Sequence, residues 1–176
     1  MEVNEAIRLA QQGDALAQRY LYDRYKMALF TVCLRYSRDR SEAEDMLQEG
    51  FINIFKSLSQ YTGKGEVGHW MRKVMVNAAL QYLRKWKREW NHVDSDQYNA
   101  LLQSHDDVLE RLGLNELTQL IQQLPTGYRV VFNLFVIEGY SHKEIADLLG
   151  VTTNTTKTQL FKAKAALRKQ LEQQYS

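Results

Sequence analysis

Ser141-His-Lys-Glu-Ile-Ala-Asp-Leu-Leu-Gly-Val-Thr-Thr-Asn-Thr-Thr-Lys157 is the stretch that decides the fold class. Ser141 and Glu144 stand three apart, the spacing at which hydroxyl and carboxylate each cap the other's backbone N–H at a helix start. Gly150 fits the left-handed residue that ends a helix. Val151 and Thr152 then turn the chain into a last helix expected to reach about Gln170. Ile145, Leu149, Val151, Leu160, Ala163 and Leu167 are spaced to bury these two helices against each other, and small Ala146 permits close approach. The pattern is a helix-turn-helix. Thr153, Asn154, Lys157, Thr158 and Lys162 fall on the outer side of its second helix. Such residues suit a major groove: lysine reaches guanine acceptors or phosphates, asparagine pairs with adenine, and a threonine methyl meets the thymine methyl. A plain helical hairpin with a solvated basic face would use the same residues.

Working outward, helical signals continue. Pro125 suits the first turn of a helix carrying Tyr128, Val131, Phe132, Phe135 and Val136 and stopping near Gly139. Leu109, Leu112, Leu117, Leu120, Ile121 and Leu124 imply another helix before it. Toward the N-terminus, a short helix is expected over Glu5–Gln12. Asp14 then caps a long helix through Tyr36 with Ala17, Leu21, Ala28 and Val32 inward. Ser41 and Glu44 form a second capping-box pattern, opening a helix with Ala43, Met46, Leu47, Ile54 and Leu58 buried and Asp45, Gln48, Glu49 and Asn53 outside. Tyr61-Thr-Gly-Lys-Gly-Glu-Val-Gly68 reads as a flexible loop, and a further helix covers about Trp70–Trp90 with Met71, Val74, Ala78 and Leu83 broadly inward. With one proline in 176 residues little interrupts these helices. The fold class is all-α: two small helical bundles, residues 1–90 and 109–176, joined by a flexible acidic linker over 91–108, the second bundle being the helix-turn-helix.

Net charge is only +2, but it is unevenly distributed. Residues 70–90 hold Arg72, Lys73, Arg84, Lys85, Lys87 and Arg88 against Glu89 alone. Residues 91–110 hold Asp94, Asp96, Asp106, Asp107 and Glu110 with no lysine or arginine. Residues 152–170 hold Lys157, Lys162, Lys164, Arg168 and Lys169 with no acid. Two basic segments around an acidic one fit two polyanion contacts joined by a linker; solvated helix faces would look similar. Aromatics interleaved with cations between Tyr61 and Arg88, Trp70 and Trp86 among them, suit single-stranded or melting DNA, although tryptophans at such positions also serve simply as packing.

Cys33, the sole cysteine, lies among apolar neighbours and reads as a small buried residue in a chain of a reducing compartment. The acidic start lacks a signal-peptide core, and no apolar run reaches membrane-spanning length. The expected location is the cytoplasm, with no membrane insertion. No phosphate-binding loop, zinc-ligand spacing or nucleophile–base arrangement is present, and the four histidines are dispersed. The expectation is a non-enzyme with no cofactor and no metal.

These residues together resemble the extracytoplasmic-function (ECF) sigma factors of bacterial RNA polymerase, in the sigma-70 family. The N-terminal likeness covers Ala43-Glu-Asp-Met-Leu-Gln-Glu-Gly-Phe51, Trp70-Met-Arg-Lys-Val-Met-Val-Asn77 and Tyr82-Leu-Arg-Lys85. The C-terminal one covers Leu124-Pro-Thr-Gly-Tyr-Arg-Val-Val-Phe132, Glu138–Gly150, and Thr155-Thr-Lys157 with Leu160 and Ala163. The resemblance implies a factor that directs core RNA polymerase to promoters and assists DNA melting. It places Asp45, Gln48, Glu49 and Asn53 on the clamp helices of the largest polymerase subunit. It assigns the minus-ten element, with a base flipped out near the loop, to Lys64, Trp70, Arg72, Lys73, Asn77, Gln81, Arg84, Lys85 and Arg88. It assigns the minus-thirty-five element to Ser141, Thr153, Asn154, Thr155, Lys157, Thr158 and Lys162, with the same domain meeting the flap of the second-largest subunit. Promoter DNA and core polymerase are the implied partners, and the likeness leaves room for an anti-sigma protein. Val67, Gln81, Asn154 and Thr156 depart from the residues usual at their positions, so no promoter sequence is carried over. An autonomous helix-turn-helix regulator is the alternative, and it would also need a dimerisation surface or effector pocket.

Overall fold

The computed structural model describes residues 1–85 and 113–175. They form two compact units, one within Met1–Trp86 and one within Lys87–Ser176. All regular structure among the described residues is helical: α1 (Val3–Gln11), α2 (Ala15–Tyr36), α3 (Arg40–Ser57), a 3₁₀ turn (Leu58–Gln60), α4 (Val67–Lys85), α5 (Leu114–Gln122), α6 (Thr126–Phe132) with a π-turn (Asn133–Ile137), α7 (His142–Leu149) and α8 (Thr153–Tyr175). The expected linker, with Trp86, Lys87, Arg88, His92, His105, Leu109 and Leu112, lies outside the described residues.

In the first unit α2, α3 and α4 pack on one another, and α1 lies on α2 and the 3₁₀ turn. Asp14 caps α2 as expected, accepting the Ala17 N–H at 2.8 Å. The cap of α3 is not Ser41. It is Asp39, whose carboxylate accepts the Glu42 N–H at 2.8 Å; an anion is the stronger acceptor at the positive end of a helix. Glu42, with its side chain only 3% exposed, pairs with Arg38 at 3.1 Å instead of closing a capping box. Leu21, Cys33, Tyr36, Met46, Ile54, Leu58, Met71, Met75 and Leu83 form the core. Ala28, expected inward, is exposed: at that level α2 packs through Leu29 and Val32. Burial pushes the Cys33 thiol up to about 12, so it stays protonated and inert.

Gly50 sets the spacing between α3 and α4. A Cβ added there would run into the Sδ of Met75, itself fully buried, and lie 3.7 Å from the Cβ of Ala78. The two helices therefore approach closely at the level of the polar face of α3.

In the second unit α6 and α7 pack on α8, with α5 at its side. Ile121, Leu124, Val130, Val131, Phe132, Leu134, Ile145, Ala163 and Leu167 fill the core. Pro125 is the N-cap rather than the first helical residue of α6. Buried Arg129 donates from Nη2 to the carbonyl of Gln122, at 3.1 Å, an acceptor that the end of α5 leaves open, and to that of Leu124 just beyond it, at 2.8 Å. The Ser141–Glu144 capping box is present on both sides, and Gly150 ends α7 in the left-handed region at φ 68°. Val151 is half-buried rather than buried, and α8 runs to Tyr175, beyond the expected end. No helix is long and apolar enough to cross a membrane among the described residues.

Candidate protein and nucleic-acid interfaces

On α3, Asp45 and Gln48 are exposed and Glu49 and Asn53 half-buried. Their spacing of three and four places them on one helical face. Ile52 belongs to the same series and is 52% exposed, an apolar side chain in a polar strip. Sequence periodicity does not find it, because an isoleucine next to Phe51 reads as core. The strip borders the end of α4: Tyr82 Oη donates to Asp45 Oδ2 at 3.4 Å, and Lys85 Nζ lies 3.6 Å from Glu49 Oε1. Burial first, then the charges of Asp45, Glu42 and Glu49, raise the pKa of Tyr82, which keeps it a neutral donor.

The loop before α4 is held by Tyr61, whose hydroxyl donates to the Gly65 carbonyl at 2.6 Å. Gly63 and Gly65 take positive φ, 81° and 76°, which suits glycine alone among common residues. Trp70 is half-buried and tilted against Tyr61, ring centroids 5.7 Å apart. It thus packs in part while keeping an accessible edge. Trp70, Lys73, Asn77, Gln81 and Arg84 recur every three or four positions and share one face of α4, all but Trp70 exposed. Exposed Lys85 adjoins the α3 strip. Arg72 falls on a different side and is half-buried, so it does not join that face; Lys64 is exposed in the loop. A polar groove of about 400 Å³ runs between α3 and α4, lined by Asn53, Lys56, Gln60, Asn77 and Gln81 among others. It brings one residue of the expected polymerase strip beside two of the expected DNA face. Lys56 and Gln60 are additions; they continue the α3 strip past the point where the sequence motif ends.

In the second unit Thr153, Asn154 and Lys157 are exposed on α8, and Thr158 and Lys162 are half-buried. Thr155 is not on this face. It is 9% exposed, its N–H is capped by Thr152 Oγ1 at 3.1 Å, and the two hydroxyl oxygens are 3.0 Å apart. Phe161, 40% exposed, lies on the outer face with Asn154, Lys157 and Thr158. Ser141 is exposed at the mouth of α7, its hydroxyl accepting the Glu144 N–H at 3.2 Å. His142 stacks on Phe135, centroids 4.5 Å apart, with Nδ1 2.9 Å from Thr156 Oγ1. Burial, then Lys157 and Lys164, lower its pKa. No cluster of histidine, cysteine and carboxylate side chains able to hold a metal occurs among the described residues.

The described residues, all-helical with a helix-turn-helix module and a module carrying a cationic, aromatic helix face, fit the class of transcription proteins. The comparisons make this specific. Residues 21–89 match the family model for sigma-70 region 2, and residues 114–167 match that for sigma-70 region 4. Over 97% of both chains the protein is 28% identical to the ECF RNA polymerase sigma factor SigW of Bacillus subtilis. It is 27% identical to the RNA polymerase sigma-H factor of Pseudomonas aeruginosa, covering 96% of this chain and 93% of that one. Its fold is similar to that of the sigma factor RpoE of Bartonella quintana, solved with the anti-sigma factor NepR: TM-score 0.52, 19% identity, 88% of this chain and 96% of that one. The chain belongs to the ECF group of the sigma-70 family of RNA polymerase sigma factors.

Proposed function

We propose that the three faces divide the work of promoter recognition. The α3 strip of Asp45, Gln48, Glu49, Ile52 and Asn53 docks on the clamp helices of core RNA polymerase. The loop 61–68 and the α4 face with Trp70, Lys73, Asn77, Gln81 and Arg84 engage and open the minus-ten element, Lys64 and Lys85 adding charge. The outer face of α8 with Thr153, Asn154, Lys157, Thr158 and Lys162 reads the minus-thirty-five element, and Ser141 anchors a phosphate. Thr155, turned inward, serves the cap and not the DNA face. Arg88 stays with the minus-ten group on its sequence likeness alone.

The observation that carries this reading is the α3–α4 groove, where Asn53 adjoins Asn77 and Gln81. A surface that holds polymerase there would set the melted strand within reach of polar side chains able to read it. Flipping a base costs a few kcal/mol, offset by the contacts the extruded base makes. Phosphate contacts supply affinity and position while a few side chains supply sequence. The protein performs no chemical step of its own in this scheme, and it acts in the cytoplasm beside the polymerase. An autonomous regulator is not favoured, since the first unit matches the model for sigma-70 region 2. Reconstitution tests the reading: the chain should co-purify with core polymerase and start RNA chains at a defined subset of a genomic promoter library. Polymerase that ignores the chain, and initiates nowhere new when it is added, would reject it.

A further inference from the structure

The start of α7 is tied to the start of α8 by a short hydrogen-bonded chain. His142, the first residue of α7, places Nδ1 2.9 Å from the hydroxyl oxygen of Thr156. That hydroxyl donates in turn, at 2.9 Å, to the carbonyl of Thr153, the first residue of α8. Thr156 departs from the residue usual at its position and is fully buried, where a hydroxyl without a partner is costly. A hydroxyl has one proton. Since Thr156 gives its own to the carbonyl, it can only accept from the ring, so Nδ1 carries the hydrogen. Nε2 is then the one ring nitrogen able to take up a proton.

The surroundings of the ring are one-sided in charge. Phe135 of the π-turn stacks on it with centroids 4.5 Å apart and brings no charge. From α8 the charges that act on it are Lys157 and Lys164, both cations. On α7 itself Lys143 follows it and is exposed. The carboxylates of this corner are engaged with other groups: Glu144 accepts the Ser141 N–H at 2.7 Å, and Glu138 and Glu144 act on Tyr140. Burial, then the two lysines of α8, keep the ring neutral to lower pH than an ordinary histidine. An anion brought to this corner reverses that balance. Ser141, next to His142 in the chain, and Thr153, at the far end of the hydrogen-bonded chain, are both exposed and both belong to the face assigned to the upstream element.

We propose that His142 couples DNA binding to proton uptake: when the phosphate backbone meets the starts of α7 and α8, Nε2 takes up a proton, so binding tightens as pH falls. The inference rests on the reading that α8 meets duplex DNA, and it adds a proton-linked input to that same site. Thr156 and Phe135 are positioning residues, holding the ring in one tautomer and one plane. Affinity rises only between the pKa of the free ring and the higher pKa of the complex, by up to tenfold per pH unit. Phosphates are alike in every sequence, so the proton adds affinity and leaves base choice to Asn154, Lys157 and Thr158.

The test uses the full-length chain and a mixed-sequence duplex of about 20 base pairs in low salt, where phosphate contacts are strongest. Ring-proton NMR should show His142 titrating at higher pH with the duplex than without it, by about half a unit or more. The variant His142→Asn keeps an N–H able to reach Thr156 but cannot take up a proton. It should bind the duplex within about twofold of wild type at about pH 8, and at about pH 6 wild type should bind about threefold tighter or more. The NMR titration carries the test if His142→Asn fails to fold. A ring pKa that the duplex leaves unmoved or lowers overturns the proposal, as does a pH response that His142→Asn shows in full. A neutral ring with its hydrogen on Nε2, read from the ring-nitrogen shifts, overturns the tautomer on which it stands. Duplex binding without the His142 linkage sinks the proposal alone. No duplex binding at either pH rejects the reading of α8 and the proposal with it, and linkage in a chain that starts no RNA with core polymerase sinks the parent reading alone.

Discussion

Replacing Gly50 by alanine tests how tightly α3 and α4 are held, and therefore whether the α3 strip and the α4 face have a fixed relation. The helix gains about 1 kcal/mol from the change of residue. Against this, the new methyl meets Sδ and Cε at the flexible end of the Met75 side chain, which is fully buried and must take up another rotamer within the packed core. Overpacking of that kind costs about 1–3 kcal/mol, so Gly50→Ala alone should range from neutral to about 2 kcal/mol destabilising. Met75→Ala alone should cost about 2–5 kcal/mol through the cavity it leaves. In the double variant the alanine methyl occupies part of that cavity, and the collision disappears. The combined loss should fall short of the sum of the single losses by at least about 1 kcal/mol, because contacting residues do not add. Urea unfolding followed by tryptophan fluorescence measures this, since Trp70, Trp86 and Trp90 all precede residue 91. At a urea slope of about 2 kcal/mol/M the shortfall is a midpoint difference of about 0.5 M. Additivity to within about 0.5 kcal/mol would refute the claim that the Gly50–Met75 contact constrains the α3–α4 packing.

Further outcomes are expected at the interfaces. Asp45→Arg with Glu49→Arg should abolish co-purification with core polymerase at unchanged helicity, and undiminished assembly would reject the docking face. Ile52→Ala should weaken the same binding by about fivefold, since roughly half of an isoleucine's burial, about 1 kcal/mol, is still to be gained there; equal affinity would make Ile52 a bystander. Lys157→Ala should cost about 1–3 kcal/mol on templates with the preferred upstream element and little on others, whereas equal loss on all templates would mark a phosphate contact. His142 should titrate below the ordinary histidine value because burial, Lys157 and Lys164 disfavour its charge. Its folded pKa being lowered, the unfolded chain binds the proton more readily, so its contribution to stability is complete above about pH 6.5 and is lost as pH falls below that. Ring-proton NMR and urea unfolding at falling pH check this; a titration at or above the ordinary value, or a pH slope unchanged in His142→Gln, would contradict it.

Much of the architecture could be read from residues whose role is local. Asp14, Ser141 with Glu144, and Gly150 mark helix ends by their own side chain or lack of one, and each acts where the sequence places it. Errors arose where two neighbours compete for one role. Asp39 and Ser41 can both cap a helix, and nothing in their spacing says that the carboxylate prevails. Thr153, Thr155, Thr156 and Thr158 lie within six positions of α8, and which of them face inward depends on the rotation that α6 and α7 impose. Ile52 and Phe161 are legible as apolar but not as exposed, since exposure is a property of what fails to cover them. The cleft walled by Val3, by Arg24 and Tyr25 and by Gly65 to Gly68 is built from three segments distant in sequence, and no local pattern announces it.

The reach of Arg129 back to Gln122 and Leu124 has a consequence for how the second unit comes apart. A nine-residue segment such as α5 is too short to persist by itself in water. Here its last carbonyl, and that of Leu124 just beyond it, are clasped by a guanidinium rooted in the interior of the following helix. Amide protons of Leu120 and Ile121 should therefore exchange with solvent at the pace of whole-unit opening, and Arg129→Met should let that segment fray on its own.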